Sequence, residues 1–164
     1  MSQSSVIHDT FTIERSYPAT TSRVFAAFAS QEAKEAWGDT GDLTPGDSAP
    51  GDSATAASAE FDFRIGGRER FGFGYDGHAY RYDALYYDIV PEQRIIYSYE
   101  MYADGARISV SVATIEFTKT GDGTALTWTE QGTYLDGFDG ARAPELRQGG
   151  TAEMLDGLAK YLAS

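Results

Sequence analysis

From Arg68 to Tyr134 the chain is written in alternating runs, separated by turns too short for anything but hairpins. The runs are "RERFGFGY" (68–75), "HAYRYDALYYDIV" (78–90), "IIYSYEMY" (95–102), "RISVSVATIEF" (107–117) and "TALTWTEQGTY" (124–134). Between them stand "DG" at 76–77, "PEQR" at 91–94, "ADG" at 103–105 and "KTGDG" at 119–123. Alternation places every second side chain on one face of a strand, and a tight turn can join only antiparallel neighbours. These residues therefore predict an antiparallel meander. A further run, "AEFDFRI" (59–65), followed by "GG" at 66–67, adds a strand at its start with Phe61, Phe63 and Ile65 on one face.

The segments on either side supply helices. "TFTIERSYP" (10–18) reads as a first strand with Phe11, Ile13 and Tyr17 inward, stopped by Pro18. Thr20 or Thr21 can cap a short helix carrying Val24, Phe25 and Phe28 on one side, and Ser30 a second one, "QEAKEAW", ending at Trp37 and Gly38. Residues 38–58 are a Gly/Pro/Asp/Ser stretch, expected to be a mobile loop, with a functional lid as the alternative. Over roughly 141–162, Met154, Leu155, Leu158, Tyr161 and Leu162 keep a helical period. Gly149 and Gly150 place the start of that helix after themselves, or else let it approach the sheet closely.

The expected fold is α+β, in one domain over 1–164. A curved antiparallel sheet of about six to seven strands wraps round a long C-terminal helix, with two short helices after strand 1. A helix laid across a curved sheet tends to leave a hollow beside it, where a small molecule can sit.

The chain carries 25 acidic and 13 basic residues, a net charge of −12. No basic stripe is present, so nucleic acid and anionic membrane surfaces are excluded as partners. There is no cysteine, and the two histidines, His8 and His78, lie far apart without metal-ligand spacing. No metal and no cofactor are expected. The first ten residues lack the charged and apolar parts of a signal peptide, and no apolar run reaches a membrane span, so a cytoplasmic location is expected. "GFGYDG" (72–77) matches a dinucleotide-binding pattern, but a strand follows it where a helix would be needed. His78 reads as a hydrogen-bonded residue at a strand end.

The informative residues are two carboxylates. Glu69 shares a strand face with Phe71, Phe73 and Tyr75, and Glu130 with Leu126 and Trp128. A carboxylate aimed at a core must be neutralised by partners or take up a proton. It can then anchor a polar group of a ligand or act as general acid and base. The structural alternatives are a bulge that turns one of them to solvent, or neutralisation by Arg68, Arg70 or Arg107. Tyr97, Tyr99 and Met101 form a stripe beside them, and the abundance of tyrosine in this region suits a wet cavity or a dimer face. For the next strand, Tyr80, Tyr82 and Tyr86 share one face and Leu85, Tyr87 and Ile89 the other, with the inward face left open. Trp37 stands where it could close a cavity mouth, Arg107 where it could meet an inward carboxylate or an anionic ligand. Met154 and Leu158 present the helix side of the hollow. Arg142 and Arg147 read as surface pairs.

The stretches "IERSYPATTSRVFAAFASQEAKEAW", "FDFRIGGRERF", "YDIVPEQRIIYSYEMYADGARISVSVATIEF" and "GTALTWTEQGTYLDG", with the C-terminal helix, resemble homologues of the activator of heat-shock-protein-90 ATPase. That family lies within the START-like, polyketide-cyclase and Bet-v-1 helix-grip superfamily. The resemblance spans about residues 10–162 and leaves only 38–58 individual. It implies a sheet gripping the last helix with a cavity between them, and it supplies no catalytic residue. The function expected is therefore binding of a small hydrophobic or aromatic ligand. The alternatives are a cyclase- or hydrolase-like enzyme using a cavity Glu, and a chaperone-interacting module. A homodimer is left open.

Overall fold

The computed structural model describes residues 4–38 and 60–164. β1 (Val6–Tyr17) leads into two short helices, α1 (Thr21–Phe28) and α2 (Gln31–Gly38). Six strands follow: β2 (Glu60–Phe61), β3 (Arg68–Tyr75), β4 (His78–Val90), β5 (Arg94–Ala103), β6 (Ala106–Thr120) and β7 (Gly123–Leu135). A 3₁₀ turn (Gly140–Arg142) opens onto α3 (Ala143–Ala163). The expected mobile loop lies, apart from Gly38, outside the described residues.

All seven strands form one antiparallel sheet in the order β1-β7-β6-β5-β4-β3-β2. The hairpins read from the sequence give the run from β3 to β7. β1 then pairs with β7 over its whole length, from Val6 opposite Leu135 to Tyr17 opposite Thr124. Residues directly opposite share a face, so the register fixes what lies inward. Phe11, Ile13 and Tyr17 on β1 stand opposite Glu130, Trp128 and Thr124 on β7. Ala113, Ile115 and Phe117 on β6 continue the same surface.

The helices cover this concave face at one side. α3 packs over β1 and β7 and against α1 and α2. Tyr17 ties strand to helix, its hydroxyl donating to the Leu155 carbonyl at 2.9 Å. Thr20 caps α1 by accepting from the Arg23 N–H at 3.1 Å, and the Ser30 side chain accepts from the Ala33 N–H at 3.2 Å. The core centres on Val24, Phe28, Ile115, Leu126, Leu155 and Leu158.

Four expectations change. Among the described residues of the 59–65 run, only Glu60 and Phe61 pair as strand. Asp62 to Gly67 turn instead, with the Arg64 N–H bonded to the Asp62 carbonyl and Gly67 to the Arg64 carbonyl, which leaves Ile65 exposed. Trp37 does not stand at a mouth: it is buried, packs edge-on against Phe28 and donates to the Ala27 carbonyl at 2.8 Å. α3 runs straight through Gly149 and Gly150, which face open space. The glycine that permits close approach is Gly157, and its neighbour is α2 rather than the sheet. A Cβ there would lie 2.5 Å from the Trp37 carbonyl oxygen. On β4 the even residues Tyr80, Tyr82, Ala84 and Tyr86 face inward, and a bulge at Tyr87 returns Ile89 to the same side.

Gly157→Ala should therefore cost about 1–3 kcal/mol, the overpacking penalty, despite the better helix propensity of alanine. Urea unfolding checks this. An unchanged midpoint would mean that α2 and α3 can separate freely.

Candidate functional site

Alternation predicts both carboxylates inward, and both are: Glu130 is 0% exposed and Glu69 5%. They do not form a pair. Glu69 is on β3 and Glu130 on β7, four strand spacings apart, on the order of 19 Å of backbone. Each has its own partners and its own role.

Glu69 fastens α2 to the sheet. Its Oε2 accepts from Lys34 Nζ at 2.6 Å and from the Tyr86 hydroxyl at 3.1 Å. The neutralising cation is Lys34 of α2, not Arg68, Arg70 or Arg107. Arg68 and Arg70 lie on the convex face beside Asp83, each at 3.5 Å. Arg107 lies on that face as well, bonded to Glu100 at 2.8 Å, so it meets no inward carboxylate.

Glu130 lies at the centre of a polar network inside the grip. The Tyr99 hydroxyl donates to its Oε2 at 2.7 Å and Trp128 Nε1 to its Oε1 at 3.3 Å. Arg147 stands 3.9 Å from Oε2 and donates Nη1 to the Tyr99 hydroxyl at 2.8 Å and Nη2 to Ser109 at 2.8 Å. The guanidinium also faces the rings of Tyr99 and Tyr134. Burial pushes the Glu130 carboxyl above its ordinary range; Tyr99, Arg147 and Trp128 pull the other way without restoring it. Burial acts to lower Arg147, and Tyr99, Glu130 and Tyr134 more than offset it. Burial also raises Tyr99, and Tyr134 is pushed up to about 12. The network therefore holds its phenols protonated and its guanidinium charged.

Arg147 overturns the reading of it as a surface pair. Arg142 does pair at the surface, with Glu145. The signal for Arg147 was in the sequence: Ala143, Arg147, Thr151 and Leu155 step by four, which continues the buried stripe of α3 back by about three turns. Thr151 extends the tie by donating to the Arg147 carbonyl at 3.1 Å.

The remaining expected residues divide by position. Leu158 and Trp128 are core, and Met154 packs against it. Tyr97 and Tyr99 stand at the middle of the concave face, in contact with each other and, through Tyr99, with Tyr82. Beyond them the face carries stacked rings. Phe71 lies on Tyr82 at 4.8 Å between centroids and Phe73 on Tyr80 at 5.2 Å. These face the same side as the core, yet Phe71 is 39% exposed and Tyr75 53%. Met101 is half-buried between the stack and β6. His78 is hydrogen-bonded at its strand end, Nδ1 to Asp104 at 2.6 Å, as expected. Among the described residues no three His, Cys, Asp or Glu side chains converge as metal ligands, and no helix is long and apolar enough to cross a membrane.

This arrangement, a sheet gripping one long helix, agrees with a family match over residues 18–163 to activator of Hsp90 ATPase homolog 1-like proteins. The chain belongs to that family. Solved structures of high similarity include Mll3558 from Rhizobium loti, at 43% identity and TM-score 0.78, covering 96% of this chain and 99% of the other. A protein from Rhizobium leguminosarum matches at 39% identity and TM-score 0.83, covering 98% of each chain. DynU16, a protein of the dynemicin biosynthetic locus, shares the fold at 18% identity and TM-score 0.64, covering 95% of this chain and 48% of its own. No curated protein matches the chain. This activator-homologue chain thus has the START-like helix-grip fold implied by its sequence, and that fold holds the Arg147–Tyr99–Glu130 network and the exposed ring stack.

Arg147→Met removes the cation that faces Glu130. The Glu130 carboxyl, already raised, should rise further. A group raised in the folded state contributes its stability below its unfolded pKa and loses it as pH climbs through the folded one. The variant should be destabilised by about 3 kcal/mol at pH 8 and clearly less at pH 4. Chemical denaturation at the two pH values checks this; a pH-independent penalty would show that only packing was lost.

Proposed function

We propose that this protein binds a small apolar or aromatic molecule on the concave face, between the ring stack of β3 and β4 and the N-terminal half of α3. One observation carries the reading. Phe71, Phe73, Tyr80 and Tyr82 are stacked on the face of the sheet that elsewhere forms the core, and part of that aromatic surface stays accessible. A monomer gains nothing by leaving large rings half-covered on its inward side, whereas flat rings favour stacking of a planar ligand. The hydrophobic cavity expected from the sequence is, on this reading, the space above that stack.

Acid–base chemistry is the second reading, and the raised Glu130 favours it. Both Glu130 oxygens are engaged and the residue has no exposed surface, so it would act through Tyr99, whose hydroxyl joins it to Arg147. Glu130→Gln divides the two: turnover lost with binding kept would make the protein an enzyme.

The neutral fluorophore N-phenyl-1-naphthylamine should bind with a rise in emission. Phe71→Ala should weaken that binding by roughly tenfold, the scale of a lost ring–ring contact with its buried area. It should leave Tm nearly unchanged, because Phe71 is partly exposed. Equal affinity of the two proteins would place the probe elsewhere and end the concave-face reading.

A further inference from the structure

The sheet has two ends, and they differ. At one end β2 is two residues long. At the other, β1 is a strand of 12 residues, and among the described residues no strand pairs with its second edge. Natural sheets seldom leave so long an edge unblunted, because its free N–H and C=O groups invite another strand. Proline comes only after β1, at Pro18, and its pairing with β7 runs without a bulge.

The ladder fixes which main-chain groups are free. The Asp136 N–H donates to the Ser5 carbonyl at 2.9 Å. Ser5 continues the register of Val6 opposite Leu135, and hydrogen-bonded pairs alternate along an antiparallel ladder. The odd residues from Ile7 to Tyr17 therefore bond β7. The even ones, His8, Thr10, Thr12, Glu14 and Ser16, are exposed and turn their main-chain groups outwards. The Glu14 carbonyl agrees with this: it accepts from Nη1 of Arg15 at 3.0 Å.

This edge matches itself. Two β1 strands related by a two-fold axis run antiparallel, and outward groups must meet outward groups. With the axis at Thr12, Asp9 of each copy stands opposite Arg15 of the other, and Phe11 opposite Ile13. Thr10 then faces Glu14 and His8 faces Ser16, which gives about ten main-chain hydrogen bonds. Moving the axis to Phe11 or Ile13 sets Asp9 against Ile13 or Tyr17 and loses the match. Arg15 has little to give up. Its partner Asp156, at 3.4 Å, is exposed, and the Glu14 carbonyl would pass to the Thr10 N–H of the second copy. α3 leaves room as well. Asp156 marks the flank of that helix nearest Arg15, and Ala152 and Ala159, about one turn to either side, share it. Two copies of α3, each over β1 and β7, would run roughly two strand spacings or 10 Å apart, an ordinary interval for packed helices.

We propose that the protein pairs with a second copy of itself through β1, forming one continuous sheet with the two-fold axis at Thr12. This stands independently of what the concave face binds.

Sedimentation equilibrium over a dilution series, at about 0.15 M salt, should show a reversible dimer. Asp9→Arg and Arg15→Asp, each alone, set like charges opposite one another and should weaken it about tenfold. Combined in one chain they exchange the charges and should restore the dimer, which a loss of fold would not allow. The chain has no cysteine, so Thr12→Cys places its only thiol on the axis. The two positions would lie about 5.5 Å apart, and mild oxidation should link them. Thr10→Cys should not link, because its two copies would be about 14 Å apart along the strands. A monomer at every concentration overturns the proposal. So does linking through Thr10→Cys as readily as through Thr12→Cys, or a dimer indifferent to both charge reversals.

Discussion

A helix about 10–12 Å across cannot cover seven strands spaced by about 4.8 Å. The rest of this structure follows from that mismatch. α3 takes β1 and β7, the strands that meet when the first joins the last. α1 and α2 thicken the layer on the same side, and the aromatic residues of the neighbouring strands close most of what remains. Phe25 and Phe28 both pack edge-on against Phe117, and Phe63 does so against Tyr86. Rings at the β3–β4 side have one another, Tyr99 of β5 and the Phe138 ring that follows β7, and part of them stays accessible.

The polar network belongs to the same geometry. As the sheet curls under α3, side chains from β5, β6, β7 and the helix converge on a space that is neither wide enough for bulk water nor lined by apolar atoms alone. Glu130 can be carried there because Tyr99, Trp128 and Arg147 meet it. Arg147 can be carried there because its stem runs along α3 and its head finds Ser109 and Tyr99. Neither charge would be tolerable alone in such a place. The pairing fixes the rotation of α3 about its axis more sharply than leucines could, since leucine contacts change little with a small turn and a directed hydrogen bond does not survive it.

Much of this was legible in the residues because two is an unforgiving period. Once the hairpin turns set the strands, the inward position of Glu69, Glu130, Tyr97 and Tyr99 followed, and so did the side on which Phe71 and Tyr75 lie. What alternation could not express was coverage. Trp37 and Phe71 look equally suited to line a cavity, yet one is sealed between helices and the other half open, because that depends on where α3 comes to rest. The Tyr87 bulge had no composition signal, so Ile89 changed sides unannounced. Arg147 was missed for a different reason: an arginine near glycines suggests solvent, and its place in the four-residue step from Ala143 to Leu155 had to outweigh its chemistry.

The pairing of β1 with β7 has a consequence for how the molecule is made. β1 is synthesised before β2 to β7, and among the described residues its only sheet partner is β7, so Val6 must wait for Leu135. During synthesis the meander from β3 to β6 can zip by nearest neighbours, while "TFTIERSY" stays an unclaimed strand with its apolar side uncovered. Such long-separation closure slows folding and leaves a sticky edge in the nascent chain. Docking of the first strand and seating of the final helix on it should then be the last cooperative event, and a nascent chain halted before residue 123 would lack the partner that event needs.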